Sequence, residues 1–122
     1  MITSRDFVMR QIQQLVQALA TLLGKRLEDP DVDYGQEVEA AVEAAIGMSL
    51  DALREASRDD VLAACRRNGS FNAEVAVALA DLLSADQEPT SRIRAAWLYE
   101  EAMRVGAAVP FDVQERLQRL RG

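Results

Sequence analysis

The sequence contains no histidine and only one cysteine, Cys65. Without histidine, every catalytic triad that depends on an imidazole is excluded, and so are most zinc sites, because zinc in proteins is held largely by histidine and cysteine. A single cysteine cannot form a disulfide within the chain. We therefore predict no catalytic, cofactor-binding or metal-binding residue.

Aromatic residues are also scarce, at 5%, although apolar residues of all kinds make up 49% of the chain. This balance suits close helix packing better than a sheet of branched and aromatic side chains, and no segment shows the alternation typical of a strand. The length of 122 residues falls in the range of one domain with one core. We predict an all-α fold in a single domain over residues 1–122.

Long hydrophobic runs are missing as well. No apolar run approaches the roughly 18 residues of a membrane span. The first residues, MITSRD, lack the basic region and apolar core of a signal peptide. We expect a cytoplasmic protein that does not associate with a membrane.

Charge is distributed unevenly along this chain of formal net charge −6. Residues 28–60 hold eleven carboxylates against Arg54 and Arg58, a net charge of −9, whereas residues 1–27 and 92–122 carry +3 and +2. Phosphate binding needs a dense cationic surface, so we predict no nucleic-acid partner. Residues 28–60 are either a face for a basic partner or only a solvated surface.

The first of about seven predicted helices covers residues 4–27. Thr3 and Asp6 form a capping-box-like start. An apolar stripe follows at four- and three-residue spacing, formed by Val8, Ile12, Leu15, Leu19 and Leu22. Neighbouring helices cover this stripe, or it pairs with a second copy to give a homodimer.

Six further helices, two of them short, are predicted from apolar spacing, caps and breakers. The first covers residues 34–46 and ends at Gly47. Two short helices follow, one capped by Ser49 and one capped by Ser57 that ends at Asn68-Gly69. The last three are a helix opened by Ser70 or Asn72, a helix from about Thr90 to Gly106, and a helix after Pro110 and Asp112.

The helix after Thr90 resembles the second helix of a tetratricopeptide repeat (TPR). Its pattern Ala95-x-x-x-Tyr99-x-x-Ala102 matches the small residues and the aromatic of that helix, and residues 79–83 would belong to the first helix of the pair. The resemblance implies antiparallel pairs in a TPR-like right-handed superhelical arrangement. Trp97 and Tyr99 cannot share one narrow face, and we predict Trp97 in the core and Tyr99 beside a groove.

Nearly the whole chain also resembles a family of short uncharacterised bacterial proteins with a TPR-like all-helical fold. The similarity begins with the segment RDFVMRQI at residues 5–12. It continues through the acidic helix at residues 38–46, the short helix at 50–53 and the closing pair at 75–103. The resemblance implies the fold and carries no activity.

The turn Asp29-x-Asp31-x-Asp33 has the alternating carboxylates of a calcium loop. However, Tyr34 stands where the tight-turn glycine belongs, and Ala40 stands where a bidentate glutamate would complete the ligands. We interpret the segment as a solvated acidic turn.

Cys65 is the only candidate nucleophile. The adjacent Arg66 and Arg67 would lower the pKa of an exposed thiol. With no histidine or second cysteine nearby in sequence, we favour the interpretation of Cys65 as a small buried hydrophobic residue.

These features favour a non-enzymatic interaction module that binds a protein or peptide partner through a TPR-like groove or through residues 28–60. One alternative is a small TPR-like chaperone for a secreted or aggregation-prone partner. The other is an enzyme that uses Asp, Glu, Arg or Cys65, which requires a concave pocket that gathers at least two such groups.

Overall fold

A computed structural model describes residues 4–67, 69–86, 88–105 and 112–121, with the backbone alone for residues 4–8. Its elements are α1 (Ser4–Glu28), α2 (Gly35–Ile46), α3 (Leu50–Glu55), α4 (Arg58–Ala64), β1 (Arg66–Arg67), β2 (Ser70–Phe71), α5 (Ala73–Ser84), α6 (Pro89–Val105) and α7 (Val113–Arg121). The all-α prediction is confirmed, and the TPR-like superhelical arrangement stays a prediction. No helix in these ranges combines the length and the apolar character that crossing a membrane requires.

Three helices begin at the caps predicted for them. The side chains of Ser49, Ser57 and Asn72 accept hydrogen bonds from the amides of Ala52, Asp60 and Val75, at 3.1, 3.1 and 2.9 Å. Each cap supplies a partner to an amide that the first turn of a helix leaves unsatisfied. The start of α3, α4 and α5 is therefore determined locally.

The end of α2 also follows from one residue. Gly47 has φ of 74°, and its amide donates to the Glu43 carbonyl at 2.8 Å. Glycine reaches this left-handed conformation without a side-chain clash, so it closes the helix as predicted. The predicted boundaries at Thr3, Gly106 and Pro110 lie outside the described residues.

The hairpin β1–β2 corrects the prediction that the chain has no strand. Arg66 pairs with Phe71 and Arg67 with Ser70 in an antiparallel register. Gly69 has φ of 80°, as expected in the Asn-Gly sequence that favours two-residue hairpin turns. Helix α4 ends at Ala64, before the end predicted at Asn68-Gly69, because the chain enters β1 at Arg66. Asn68 lies outside the described residues, and Ser70 belongs to β2 rather than to the start of α5.

A single cluster of buried side chains includes residues from all seven described helices. Helix α5 lies at its centre because it contacts both α1 and α6, and α6 in turn contacts α7. Apolar residues surround α5 on most sides, as in a core helix. Its buried residues are Ala73, Val75, Ala76, Val77, Leu79, Ala80, Leu82 and Leu83.

Helix α1 packs more extensively on α5 than on α2, its neighbour in sequence. Ile12, Leu19 and Leu22 are buried, whereas Leu15 is half-buried. The rest of the molecule therefore covers the predicted stripe from Ile12 to Leu22, and only in part at Leu15. The side chain of Val8 lies outside the described residues, and the homodimer stays a prediction.

The aromatic residues of α6 correct the prediction that Trp97 is in the core. Tyr99 is 1% exposed, whereas Trp97 is half-buried and Ile93 is 49% exposed. Helix α5 can approach α6 closely only on the face of α6 where side chains are small. The buried residues of α6 are Ser91, Ala95, Leu98, Tyr99 and Ala102. Trp97 instead lies under the Arg94 guanidinium, whose carbon is 4.7 Å from the ring centroid, in a cation–π contact.

Candidate functional site

A cleft of about 480 Å³ is formed by α5, α6, α7 and the C-terminal part of α1. We call it the central cleft. Its lining residues are Leu23, Leu27, Asp81, Ser84, Ala85, Arg92, Tyr99, Asp112, Arg116, Arg119 and Leu120. The cleft thus combines leucine side chains with five charged groups.

An ion-pair network forms the polar part of the central cleft. Asp81 Oδ1 and Oδ2 lie 3.0 and 2.8 Å from Arg116 Nη1, and the Tyr99 hydroxyl donates to Asp81 Oδ1. Arg116 Nε donates to Asp112 Oδ2 at 3.1 Å. These contacts connect α5, α6 and α7, because one member of the network lies on each of them.

The network is poorly suited to acid–base catalysis. Burial and the hydrogen bond to Asp81 raise the pKa of Tyr99, so its phenol stays protonated at neutral pH. Asp81 accepts from both the phenol and the Arg116 guanidinium, so both of its carboxylate oxygens already have partners within the protein. The arrangement is suited to holding helices together.

Sequence reasoning did not identify this network. Asp81 is the one charged residue between Val75 and Leu83, a run that α5 otherwise buries or half-buries. A charge inside such a run is a signal that a partner exists, since unpaired charges are rarely buried. No periodic pattern points to Arg116 as that partner, because the two residues lie on different helices.

A second polar cluster lies beside the central cleft, where α5 connects to α6. Asp86 Oδ2 accepts hydrogen bonds from Arg54 Nη2 at 2.6 Å and from the fully buried Ser91 hydroxyl at 2.8 Å. Arg54 Nε donates to Ser91 Oγ at 3.1 Å. Burial alone would raise the pKa of Asp86, but its hydrogen bonds and the Arg54 charge outweigh burial and lower it.

Cys65 is fully buried, which confirms its interpretation as a small hydrophobic residue. Burial raises the pKa of its thiol to about 12, and the charge of Arg67 opposes this shift only in part. Because the thiolate is the nucleophilic form, burial disfavours nucleophilic chemistry at Cys65.

The acidic turn does not assemble a cation site. Asp29, Asp31 and Asp33 are all exposed, and Asp33 Oδ1 accepts from the Gly35 amide at 2.9 Å, so it stabilises the start of α2. Among the residues that the structure describes, no three His, Cys, Asp or Glu side chains are grouped so that they could hold a metal ion.

A groove of about 310 Å³ continues from the central cleft along α6 and α7. We call it the side groove. It is lined by Pro89, Arg92, Ile93, Ala96, Leu120 and Arg121. Arg92 and Leu120 line both depressions, which are therefore contiguous.

The carboxylates of residues 28–60 are all exposed. None of them lines the central cleft or the side groove. Asp51 Oδ1 lies 3.6 Å from Arg54 Nη1, and the Asp51 side chain is 89% exposed. Asp33 instead lines a third depression of about 580 Å³, which shares Leu27, Ser84 and Ala85 with the central cleft. The acidic segment therefore borders the central cleft without lining it.

Comparisons of the chain with protein-family models, with curated proteins and with solved structures found no match.

Proposed function

We propose that the protein is a non-enzymatic interaction module that binds a protein or peptide partner along the central cleft and the side groove. The observation that carries this proposal is the exposure of large aliphatic side chains in the two contiguous depressions. Leu27 in the central cleft is 70% exposed, and Ile93 in the side groove is 49% exposed. Burying such side chains against a partner is favourable because apolar surface is removed from water.

The state of the ionisable groups supports a binding role. Tyr99, Asp81 and Arg116 are engaged with one another, and Cys65 is buried. The contacts among Tyr99, Asp81 and Arg116 hold the walls of the central cleft in a fixed arrangement, which lowers the entropic cost of binding.

The proposal includes a bacterial, cytoplasmic protein with a TPR-like arrangement. The extensive contact between α5 and α6 supports the TPR-like part, since Ala95, Tyr99 and Ala102 are all buried on α6. The buried, unpaired Cys65 is compatible with a reducing compartment such as the cytoplasm. The sequence resemblance supports the bacterial source.

Selection from a peptide-display library tests the module. The library is panned on the wild-type protein, with counter-selection on the double variant Leu27→Asp/Ile93→Asp, which places a charge in each depression. Both side chains are exposed, so the variant is expected to keep its circular dichroism spectrum. We expect a peptide consensus that is enriched on the wild type alone.

Val105→Asp is the matched control. Val105 is an aliphatic residue on α6 that is 41% exposed and lines neither depression. This variant should select the same consensus as the wild type. Absence of any consensus, or equal enrichment on the double variant, would contradict the proposal.

A further inference from the structure

The central cleft and the side groove together form a positively charged surface on an acidic protein. We call this surface the basic face and define it by its exposed arginines and its aliphatic side chains, Arg92, Arg119, Leu23, Leu27, Ile93 and Leu120. The chain as a whole carries a formal charge of −6. A basic surface on such a chain opposes the overall field and is therefore a distinct feature of the molecule.

The two arginines that define the basic face are available to a partner. Arg92 and Arg119 are exposed, and neither takes part in an ion pair within the part of the chain that the structure describes. The other arginines nearby are already engaged, Arg116 with two aspartates and Arg121 with Glu100 at 3.1 Å. The carboxylates lining the central cleft are the two that Arg116 neutralises, so the charge presented there is positive.

We infer that the basic face binds an acidic amphipathic helix, whose carboxylates pair with Arg92 and Arg119 and whose apolar side chains cover Leu27 and Ile93. This inference rests on the proposed function and specifies the chemistry of the partner. The partner needs apolar residues at helical spacing of i, i+3 or i+4, and i+7, with glutamate or aspartate beside them.

A helix suits this surface better than an extended strand. A bound strand obtains its affinity from backbone hydrogen bonds to the edge of a sheet. The hairpin β1–β2, the one sheet in the described residues, contributes no residue to the basic face. A helix satisfies its own backbone and leaves its side chains to make the contacts.

The aliphatic residues also distinguish a peptide from a nucleic acid. Single strands bind to proteins through stacking of bases on aromatic side chains, together with a dense row of cationic groups. The exposed apolar residues of the basic face are leucine and isoleucine, and Tyr99 is buried behind them. The surface therefore complements a polymer that carries both carboxylates and aliphatic side chains.

A second copy of the chain is a poorer match, although residues 28–60 are acidic. The apolar residues of α2, Val38, Val42 and Ala45, are buried in the core of the same molecule. The exposed part of that helix is therefore charged without the apolar stripe that would cover Leu27 and Ile93.

Three synthetic peptides of the same length test the inference by fluorescence anisotropy. The first carries leucines on one helical face with flanking glutamates, the second has lysine in place of each glutamate, and the third has the composition of the first in an order that scatters the leucines. We expect the first to bind at least about tenfold more tightly than either of the others at low salt, with a preference that falls as salt screens the charges.

Charge reversal on the protein provides the complementary test. The double variant Arg92→Glu/Arg119→Glu should bind the glutamate peptide at least about tenfold more weakly and should bind the lysine peptide more tightly than the wild type does. The control Arg10→Glu/Arg66→Glu makes the same charge change at exposed positions outside the basic face. It should alter the affinity for the glutamate peptide by less than about twofold.

The outcomes separate this inference from the proposed function. A display consensus without acidic residues, or equal binding of the glutamate and lysine peptides, overturns the acidic-helix inference and leaves the module standing. No consensus and no binding of any peptide overturns both. Self-association in light scattering that Arg92→Glu/Arg119→Glu abolishes, or binding of an oligonucleotide as tight as that of the glutamate peptide, also overturns the inference.

Discussion

Arginine side chains satisfy backbone carbonyls at the ends of helices to which they do not belong. Arg94 of α6 donates to the carbonyls of Leu53 and Ala56, at 2.9 and 2.7 Å, where α3 ends. Arg67 of β1 donates to the carbonyl of Ala45 at the end of α2. The last carbonyls of a helix lack partners within it, so a forked guanidinium both completes their hydrogen bonding and offsets their partial negative charge.

The Asp86 carboxylate is expected to make stability depend on acid pH. Its pKa is lowered in the folded state, so it contributes stability that is fully present above the unfolded pKa of about 3.9 and is lost as pH falls through the lower folded value. We expect Asp86→Asn to lower the free energy of unfolding by about 1–3 kcal/mol at pH 7. The difference from wild type should shrink below about pH 4, as measured by urea unfolding.

Asp51→Asn is the control, because Asp51 lies near the same arginine but is 89% exposed. Exposed ion pairs contribute little, so this change should cost less than about 1 kcal/mol at any pH. Equal losses in the two variants, or an Asp86→Asn loss that does not vary with pH, would contradict the prediction.

Tyr99→Phe tests the hydroxyl that faces Asp81. The substitution keeps the buried ring and removes one donor to a carboxylate that Arg116 still contacts. We expect a loss of about 1 kcal/mol in the free energy of unfolding. Tyr34→Phe should change the free energy of unfolding by less than about 0.5 kcal/mol. The Tyr34 hydroxyl donates to the Lys25 carbonyl at 3.2 Å, and this hydrogen bond is exposed to solvent. Equal free energies of unfolding for Tyr99→Phe and Tyr34→Phe would count against a stabilising role of the ion-pair network.

At the level of secondary structure, two glycines are expected to respond in opposite directions to alanine. Gly47 ends α2 with φ of 74°, whereas Gly24 lies inside α1, and an added Cβ would meet no atom within 4 Å at either position. Gly47→Ala should destabilise the protein by about 1 kcal/mol through backbone strain. Gly24→Ala should stabilise it by about 0.5–1 kcal/mol through helix propensity.

Thermal unfolding of the two alanine variants measures the difference directly, since packing does not enter at either position. A melting temperature that moves in the same direction in both variants would show that conformation does not determine the effect.

The helices were predictable from sequence where a local interaction determines them. Ser49, Ser57 and Asn72 cap their helices through contacts within three residues, so the chain alone carries that information. The buried face of α6 was not predictable in the same way. Small residues such as Ala95 mark the side where α5 approaches, and that choice depends on the partner helix rather than on the largest apolar side chains of α6.

At the level of the whole molecule, the shared core predicts one cooperative unfolding transition. Trp97 is the only tryptophan and reports on α6, whereas circular dichroism reports on all helices. If residues 1–122 form one domain, as we predict, the two signals should give the same urea midpoint and slope. Separate midpoints for fluorescence and circular dichroism would contradict a single domain.

The central cleft and the side groove form only when several helices pack together, so the sequence alone did not predict them. Arg92 and Leu120 meet at the junction of the two depressions although they lie on different helices. Residues 28–60, which the charge pattern singled out, line neither depression. Sequence patterns report on the face of one helix, whereas these depressions exist only after α1, α6 and α7 have packed.

The packing of α1 on α5 has a consequence for the order of folding. The pairs α5–α6 and α6–α7 are close in sequence, whereas α1 reaches α5 only after the chain from residue 29 to residue 72 closes into a loop. Closing that loop costs entropy before the contact is made, so α1 should dock late on a nucleus formed by the later helices. During synthesis, α1 leaves the ribosome before α5, its main partner, and its leucines are exposed to water until α5 follows.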